Sequence, residues 1–276
     1  MPIAPPLTDL NGLLLFATAF IAGGLNAVAG GGSFISFPTL IFTGMSPIAA
    51  NATNNTALWV ASLASAGAYR RDLDVDSPEE RLRQRRTMLI LSTVSLVGGL
   101  LGSILLLYTS ADIFKKLIPY LLLLATIVFI FGESFKQWLK SFVGEASPSE
   151  NRANAPKSIP LAYLVIAQLI IAIYGGFFGA GIGILMLASL TFFNIRNIHA
   201  MNALKTWLGT CINGIAIVPF LFAGIIAWQQ TIIMAISGAL GGYFIANFAR
   251  QIPSQIIRRF VSIVAIFMTT YFFIHG

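Results

Sequence analysis

Polar side chains that can bind an anion recur at helical spacing in two stretches of an otherwise hydrophobic chain. Each stretch places three of them on one helix face, at positions i, i+3 and i+4: Asn51, Asn54 and Asn55 in the first, and Asn202, Lys205 and Thr206 in the second. The same faces continue through Trp59 and Ser62 in the first stretch and through Gly209 and Asn213 in the second. Amide, hydroxyl and ammonium groups all donate hydrogen bonds, so together they suit a small oxyanion. Such groups are costly in hydrocarbon unless they face a cavity or a partner. The spacing therefore predicts a binding site between membrane helices.

Lys205 is the most informative of these residues. It lies about seven residues into its hydrophobic block, on the order of 10 Å of helix rise. One interpretation is that it binds an anion, and the other is that its long stem reaches the membrane interface. Asp112 and Glu133 lie near block ends, and no acidic residue lies deep in a block. A lysine without an internal carboxylate favours an anionic ligand.

Glycine clusters precede two unusually short hydrophobic blocks. The candidate binding residues in these clusters are Asn26, Gly30, Gly31, Gly32 and Ser33 in the first, and Gly181 and Gly183 in the second. Two interpretations stay open and are compatible: close packing of helices through small residues, and an unwound backbone whose N–H groups face an anion. Short, glycine-interrupted segments at equivalent places in two halves are typical of a transport site.

The chain also repeats itself. A shift of 151 residues places Gly24 on Gly175 and Asn51 on Asn202 without a gap, and Asn54 then falls on Lys205. Farther along, the segment from Ser110 resembles the segment from Pro253. We therefore expect one integral membrane domain of two homologous halves, 1–140 and 159–276, joined by a polar linker at 141–158.

Composition points to a polytopic, all-α membrane protein. The 276 residues are 57% hydrophobic and 10% charged, against about 25% charged in soluble domains, and the mean hydropathy is +0.82. The ten predicted hydrophobic blocks are 10–29, 33–44, 47–69, 87–107, 114–135, 159–180, 183–194, 198–223, 229–249 and 254–275. Eight are long enough to span a bilayer, and the second and seventh are not. One cysteine and two histidines argue against a metal cluster, and we expect no cofactor and no nucleic acid partner.

The basic residues predict the topology. If all ten blocks cross and the N-terminus is outside, most of the 17 Lys and Arg residues face the cytoplasm, including the arginine-rich loop 70–86. Five crossings per half would make the halves inverted repeats. The alternative treats the short blocks as re-entrant, which gives eight crossings and parallel halves but places Arg196, Arg250, Arg258 and Arg259 outside.

Three further residues are better explained without a ligand. His199 fits a capping or interfacial role, Cys211 fits packing, and Gln168 fits a hydrogen bond between helices. No acid/base or metal set of the kind an enzyme needs converges in the sequence, and no nucleotide-binding loop is present. A transporter or an anion channel are the classes that remain.

The glycine–asparagine break, the proline-containing short block and the following Ala/Asn/Thr-rich helix resemble the TauE/SafE family of sulfite exporters. The segments on which this resemblance rests are GGLNAVAGGGSFISFPTLIFTGMSPIAANATNNTALW, GGFFGAGIGILMLASL and NALKTW. The resemblance covers essentially the whole chain, although the second copy has Ser189 where the first has Pro38, and Phe177 where it has Asn26.

This resemblance implies a multi-pass transporter of a bacterial inner membrane that exports a small sulfur-containing anion, such as sulfite or sulfoacetate, by alternating access. An anion channel, or an uptake permease for another small oxyanion, is the alternative. The expected partners are the anion and the lipid bilayer, and a homodimer is a candidate assembly.

Overall fold

The computed structural model describes residues 4–28, 31–68, 78–143, 161–191, 198–249 and 254–275. All the regular structure in these ranges is α-helical. The helices are α1 (Asp9–Val28), α2 (Ser33–Phe42), α3 (Pro47–Ala68), α4 (Pro78–Tyr108), α5 (Ala111–Val143), α6 (Leu161–Phe177), α7 (Ile182–Thr191), α8 (Ile198–Phe222), α9 (Trp228–Ala249) and α10 (Ser254–His275).

Each predicted hydrophobic block corresponds to one helix, and α2 and α7 are the two short ones, with 10 residues each. The main difference lies in loop 70–86, because α4 already begins at Pro78. Proline is favoured in the first turn of a helix, and the glutamates that follow suit its positive end. A hydropathy pattern detects the membrane span and not this charged extension. The predicted linker 141–158 falls mostly outside the described residues.

Four helices are long and apolar enough to cross a membrane, by length and composition alone. Their spans are Asp9–Asn26, Gln84–Tyr108, Ala111–Phe131 and Ala203–Phe222. The sequence suggested eight such blocks, and this count is not reached. Helix α6 has only 17 residues, and the asparagines and threonines of α3 lower its hydropathy. The chain is nonetheless a multi-pass, helical membrane protein.

Two helix pairs pack through glycine, and both run parallel. In α1 and α9, a Cβ atom on Gly238 would lie 3.5 Å from the Ala19 carbonyl oxygen, and one on Gly242 would lie 3.6 Å from that of Gly23. Both contacts advance by four residues, so the helices point the same way. Helices α4 and α6 repeat this arrangement, since Gly98 abuts the Leu169 carbonyl and Gly102 the Ile173 carbonyl. In both pairs, the first helix of one half packs against the fourth helix of the other half.

Equivalent helices of the two halves instead run antiparallel. In α5 and α10, the hydroxyl oxygens of Thr126 and Thr269 lie 3.0 Å apart. Tyr120, which comes earlier in α5, packs against Phe273, which comes later in α10, and their ring centroids lie 5.3 Å apart. Helices α3 and α8 are also antiparallel to each other.

The evidence for α3 and α8 comes from two hydrogen bonds. Trp59 donates to the Thr210 carbonyl at 3.0 Å, and the backbone N–H of Ala227 donates to the Thr53 hydroxyl at 3.1 Å. Thr53 comes before Trp59 in α3, whereas Ala227 comes after Thr210 and beyond the end of α8. The two helices therefore run antiparallel.

The break between α6 and α7 depends on glycine. Gly179 and Gly181 have φ angles of +82° and +78°, a conformation that side-chain-bearing residues rarely adopt. In the first half, Gly32 precedes α2 with helical angles (φ −58°, ψ −38°), and residues 29 and 30 lie outside the described ranges. Helix α2 begins at Ser33 and α7 at Ile182, which is the counterpart of Gly31, so the second short helix begins two residues earlier in the repeat.

Candidate functional site

A polar cavity of about 70 Å³ lies where the two short helices meet α3 and α8. This is several times the roughly 10–15 Å³ that one water molecule requires. Residues from both halves form its walls: Asn26, Ser33, Asn54, Asn55, Leu58, Ser62, Phe178, Gly179, Ile182, Gly183, Met186, Lys205, Thr206, Gly209 and Asn213. No acidic residue is among them.

Lys205 supplies the charge of this cavity. Its stem lies across Gly183 at the start of α7, where an added Cβ would be 3.4 Å from the lysine Cδ and 3.8 Å from its Cε. The ammonium group forms no ion pair or hydrogen bond with the residues that the structure describes. A positive charge held between helices without a counter-ion is a favourable place for an anion.

Asn54 occupies the equivalent position in the first half but is fully engaged. Its amide oxygen accepts a hydrogen bond from Ser36 at 2.6 Å, and its amide nitrogen donates to the Ser33 hydroxyl at 3.3 Å. These bonds tie α3 to the first turn of α2. The Ser33 oxygen acts as an acceptor there, which leaves its hydrogen available to a ligand.

Asn55 is the opposite case. Its side chain is only 6% exposed, and neither its amide nitrogen nor its amide oxygen has a hydrogen-bond partner. The buried amide oxygen of Asn213, on α8, is unpartnered too. A buried polar atom without a partner costs about 1–3 kcal/mol. The cavity walls therefore contain hydrogen-bonding groups that this state leaves unused.

Asn26 belongs to the cavity through α1. Its amide nitrogen donates to the Ser62 hydroxyl at 3.4 Å, so the last turns of α1 and α3 are joined beside the site. The Ser62 hydroxyl, like that of Ser33, keeps its own hydrogen for a ligand. Thr206, one turn from Asn202, also lines the cavity.

Several predicted site residues lie outside the cavity walls. Asn51 donates to the Phe177 carbonyl at 3.0 Å and so links α3 to the end of α6. Gly31 lies beside Val261 and Phe129, the Gly32 carbonyl accepts a hydrogen bond from Ser36, and Gly181 abuts Ala125. These positions shape the two breaks. Gly30 and the side chain of Asn202 lie outside the described residues.

The cavity also includes residues that the sequence did not single out as ligands. Ser62, Gly209 and Asn213 lie farther along the two polar helix faces, where the helical spacing of the sequence already places them. Phe178 and Gly179 come from the break before α7. Leu58, Ile182 and Met186 carry no sequence signal that distinguishes them from ordinary core residues.

The other three residues considered in the sequence take structural places or remain undefined. Gln168 donates to Ser95 at 2.8 Å, which joins α6 to α4 away from the cavity. Cys211 is a free, half-buried thiol on α8. The side chain of His199 falls outside the described part of the chain.

The helical fold and the two-sided polar cavity define a membrane transporter, and comparison with known proteins supports this class. The family model described as "Sulfite exporter TauE/SafE" matches residues 15–272. The chain therefore belongs to the TauE/SafE sulfite exporter family.

Curated relatives are named only as transporters. The chain is 28% identical over 260 residues to a "Probable membrane transporter protein" of Haemophilus influenzae, covering 93% of this chain and 92% of the relative. It is 27% identical to the "Probable membrane transporter protein ORF9" of a Sinorhizobium species, with 91% and 88% coverage. It is 26% identical to the "Probable membrane transporter protein YfcA" of Escherichia coli K12, with 93% and 87% coverage. No solved structure matches the chain significantly.

Proposed function

We propose that the protein is a secondary transporter that binds a small sulfur-containing anion, sulfite or an organosulfonate, in the cavity between its halves. The observation that carries the proposal is Lys205, a positive charge between helices with no counter-ion among the described residues. The hydroxyls of Ser33 and Ser62 and the amide of Asn55 supply neutral donors around it. The sulfur chemistry comes from the family description.

Alternating access between inverted halves is the mechanism that the helix directions favour. Parallel halves would make equivalent helices run the same way, whereas α5 and α10 run antiparallel, as do α3 and α8. Inverted repeats can exchange conformations about a fixed site near the middle of the membrane. The contributions of α2, α3, α7 and α8 to the wall of one cavity support this mechanism.

Export is the direction that the membrane potential favours. An anion leaving a cell that is negative inside gains about 2.3 kcal/mol per charge per 100 mV. A carrier that releases sulfite or a sulfonate outward therefore needs no coupling ion. The inner membrane of a bacterium supplies such a potential.

Flux into and out of liposomes tests this function. Purified protein should move at least one labelled anion from a panel of sulfite, sulfoacetate, taurine and sulfate, and external anion should accelerate the loss of internal label. Lys205→Gln should reduce this flux to the level of empty liposomes, whereas Lys116→Gln, at an exposed position of α5, should leave it unchanged.

Two results would contradict the proposal. Indifference to the whole panel would remove the sulfur-anion assignment. Currents that do not saturate, without exchange of internal for external anion, would identify a channel instead.

A further inference from the structure

The residues that line the cavity carry two kinds of unused groups, and only one kind suits a bare anion. Lys205 can donate hydrogen bonds, as can the hydroxyls of Ser33 and Ser62. The amide oxygens of Asn55 and Asn213 can only accept, and both are buried without a partner. An oxyanion has no hydrogen to offer them, so binding one would leave these oxygens unsatisfied or bring them close to negative charge.

This conclusion does not depend on how the Asn55 amide is turned. Nitrogen and oxygen of an asparagine can be exchanged when no hydrogen bond fixes them. Both atoms of Asn55 lack a partner, so either orientation leaves one acceptor and one donor unused. The Asn213 oxygen adds a second acceptor, on α8 of the other half.

The charge of the cavity limits the ligand as well. Lys205 is the one charged residue in the cavity wall. A monoanion would neutralise it, and a dianion would leave an uncompensated negative charge in a low-dielectric region, which is costly.

We propose that the site selects a monovalent oxyanion that also carries a hydrogen-bond donor, such as hydrogensulfite or a hydroxyl-bearing sulfonate. Lys205 and the serine hydroxyls hold the sulfur–oxygen groups, and the amide oxygens of Asn55 and Asn213 accept the hydrogen of the ligand. This rests on the proposed transport function, whose substrate class it narrows. The site excludes fully deprotonated dianions because Lys205 neutralises only one negative charge. It excludes sulfonates without a donor because they leave the amide oxygens of Asn55 and Asn213 without a hydrogen-bond partner.

Three tetrahedral anions of equal heavy-atom count separate these requirements. Sulfamate is a monoanion with an N–H donor, methanesulfonate replaces that amino group with a methyl group, and sulfate is a dianion without a donor. We expect calorimetric titration of the purified full-length protein to show sulfamate binding roughly tenfold to a hundredfold more tightly than methanesulfonate. Sulfate should bind weakest of the three.

Variants identify the accepting groups. Asn55→Leu and Asn213→Leu keep side-chain size but remove the amide, so each should bring the sulfamate-to-methanesulfonate ratio toward one. Ser62→Ala is the matched control, because it removes a donor and should weaken both anions while preserving the ratio. Thermal unfolding checks that each variant is folded.

The outcomes are distinguishable. Wild-type protein that binds methanesulfonate as well as sulfamate would overturn the donor requirement and leave the transport proposal standing, and this measurement needs no variant. A ratio unchanged in both leucine variants would also overturn it. Failure of wild-type protein to bind any sulfur oxyanion, sulfite included, would instead overturn the proposed function.

Discussion

The indole N–H of Trp59 donates a hydrogen bond to the carbonyl oxygen of Thr210, and these residues are 151 positions apart. This is also the shift that superposes the two halves in sequence, so Trp59 and Thr210 are equivalent positions in direct contact. Thr126 and Thr269 form a second such pair, 143 residues apart, the shift that relates the segments after Ser110 and Pro253. If a two-fold axis relates the halves, as proposed, equivalent residues touch only near that axis. The polar cavity, which the two halves share, lies beside α3 and α8, whose contact includes the first pair.

Trp59→Phe should weaken the contact between the halves. The substitution keeps an aromatic ring but removes the donor to Thr210, and a lost hydrogen bond of this kind costs about 1 kcal/mol. We expect a lower thermal unfolding temperature in detergent. Trp228→Phe, at the half-exposed start of α9, is the control and should have little effect. Equal stability of both variants would show that the bond does not hold the halves together.

Alanine at Gly23 or at Gly176 should be strongly destabilising. A Cβ at Gly23 would overlap the backbone of Gly238, and one at Gly176 would overlap the backbone of Gly99. Backbone atoms cannot move aside singly, so the helix pairs must separate, at a cost of about 1–3 kcal/mol or more. Folded yield and unfolding temperature measure the effect.

Gly242→Ala provides the comparison for these glycines. Its new Cβ would lie 3.6 Å from the Gly23 carbonyl oxygen, an ordinary contact distance. We expect near-native yield from this variant. A collapse as severe as that of Gly23→Ala would mean that any side chain is excluded along α9, and that the particular overlap is not the cause.

Gly183→Leu should impair flux while the protein stays folded. The Lys205 stem lies over Gly183, so a branched side chain there would displace the ammonium group from the cavity. Misplacing a binding group by about 1 Å can cost roughly a hundredfold, and we expect a loss of tenfold or more in liposome flux. Gly183→Ala should have a milder effect, since its Cβ reaches only contact distance. Gly12→Leu, whose Cβ would meet just the Leu7 side chain, should transport normally.

A tag placed after His275 should be accessible from outside the cell. Ten crossings that begin outside also end outside, whereas the eight-crossing alternative ends in the cytoplasm. Impermeant labelling of the tag in intact cells measures this. A tag placed in the segment before Pro78 is the control and should be labelled only after permeabilisation. A cytoplasmic C-terminus would contradict inverted halves.

Much of the architecture follows from sequence because the membrane imposes simple rules. Hydrophobic blocks located all ten helices, and the glycine clusters located the two short ones. Helix spacing placed Asn54 and Asn55 on one helix face and Lys205 and Thr206 on another, and in the structure all four residues line the same cavity.

The roles of neighbouring asparagines could not be read from spacing. Asn54 and Asn55 are adjacent and chemically identical, yet Ser33 and Ser36 engage the first while the second has no partner. Which amide is engaged depends on where α2 packs against α3, and a one-dimensional pattern does not contain that information. Asn51 likewise turns to the Phe177 carbonyl because α6 ends beside it.

The placement of Lys205 on one half only has an electrical consequence. In the proposed alternating-access cycle, the empty carrier would change sides with an uncompensated positive charge, whereas the carrier loaded with a monoanion would be neutral at this position. The membrane voltage then acts on the return of the empty protein and not on the loaded step. A charge that crosses the full potential changes this equilibrium by about 2.3 kcal/mol per 100 mV. In the proposed export cycle, a potential that is negative inside would draw the unloaded lysine back toward the cytoplasm, where it would bind the next anion.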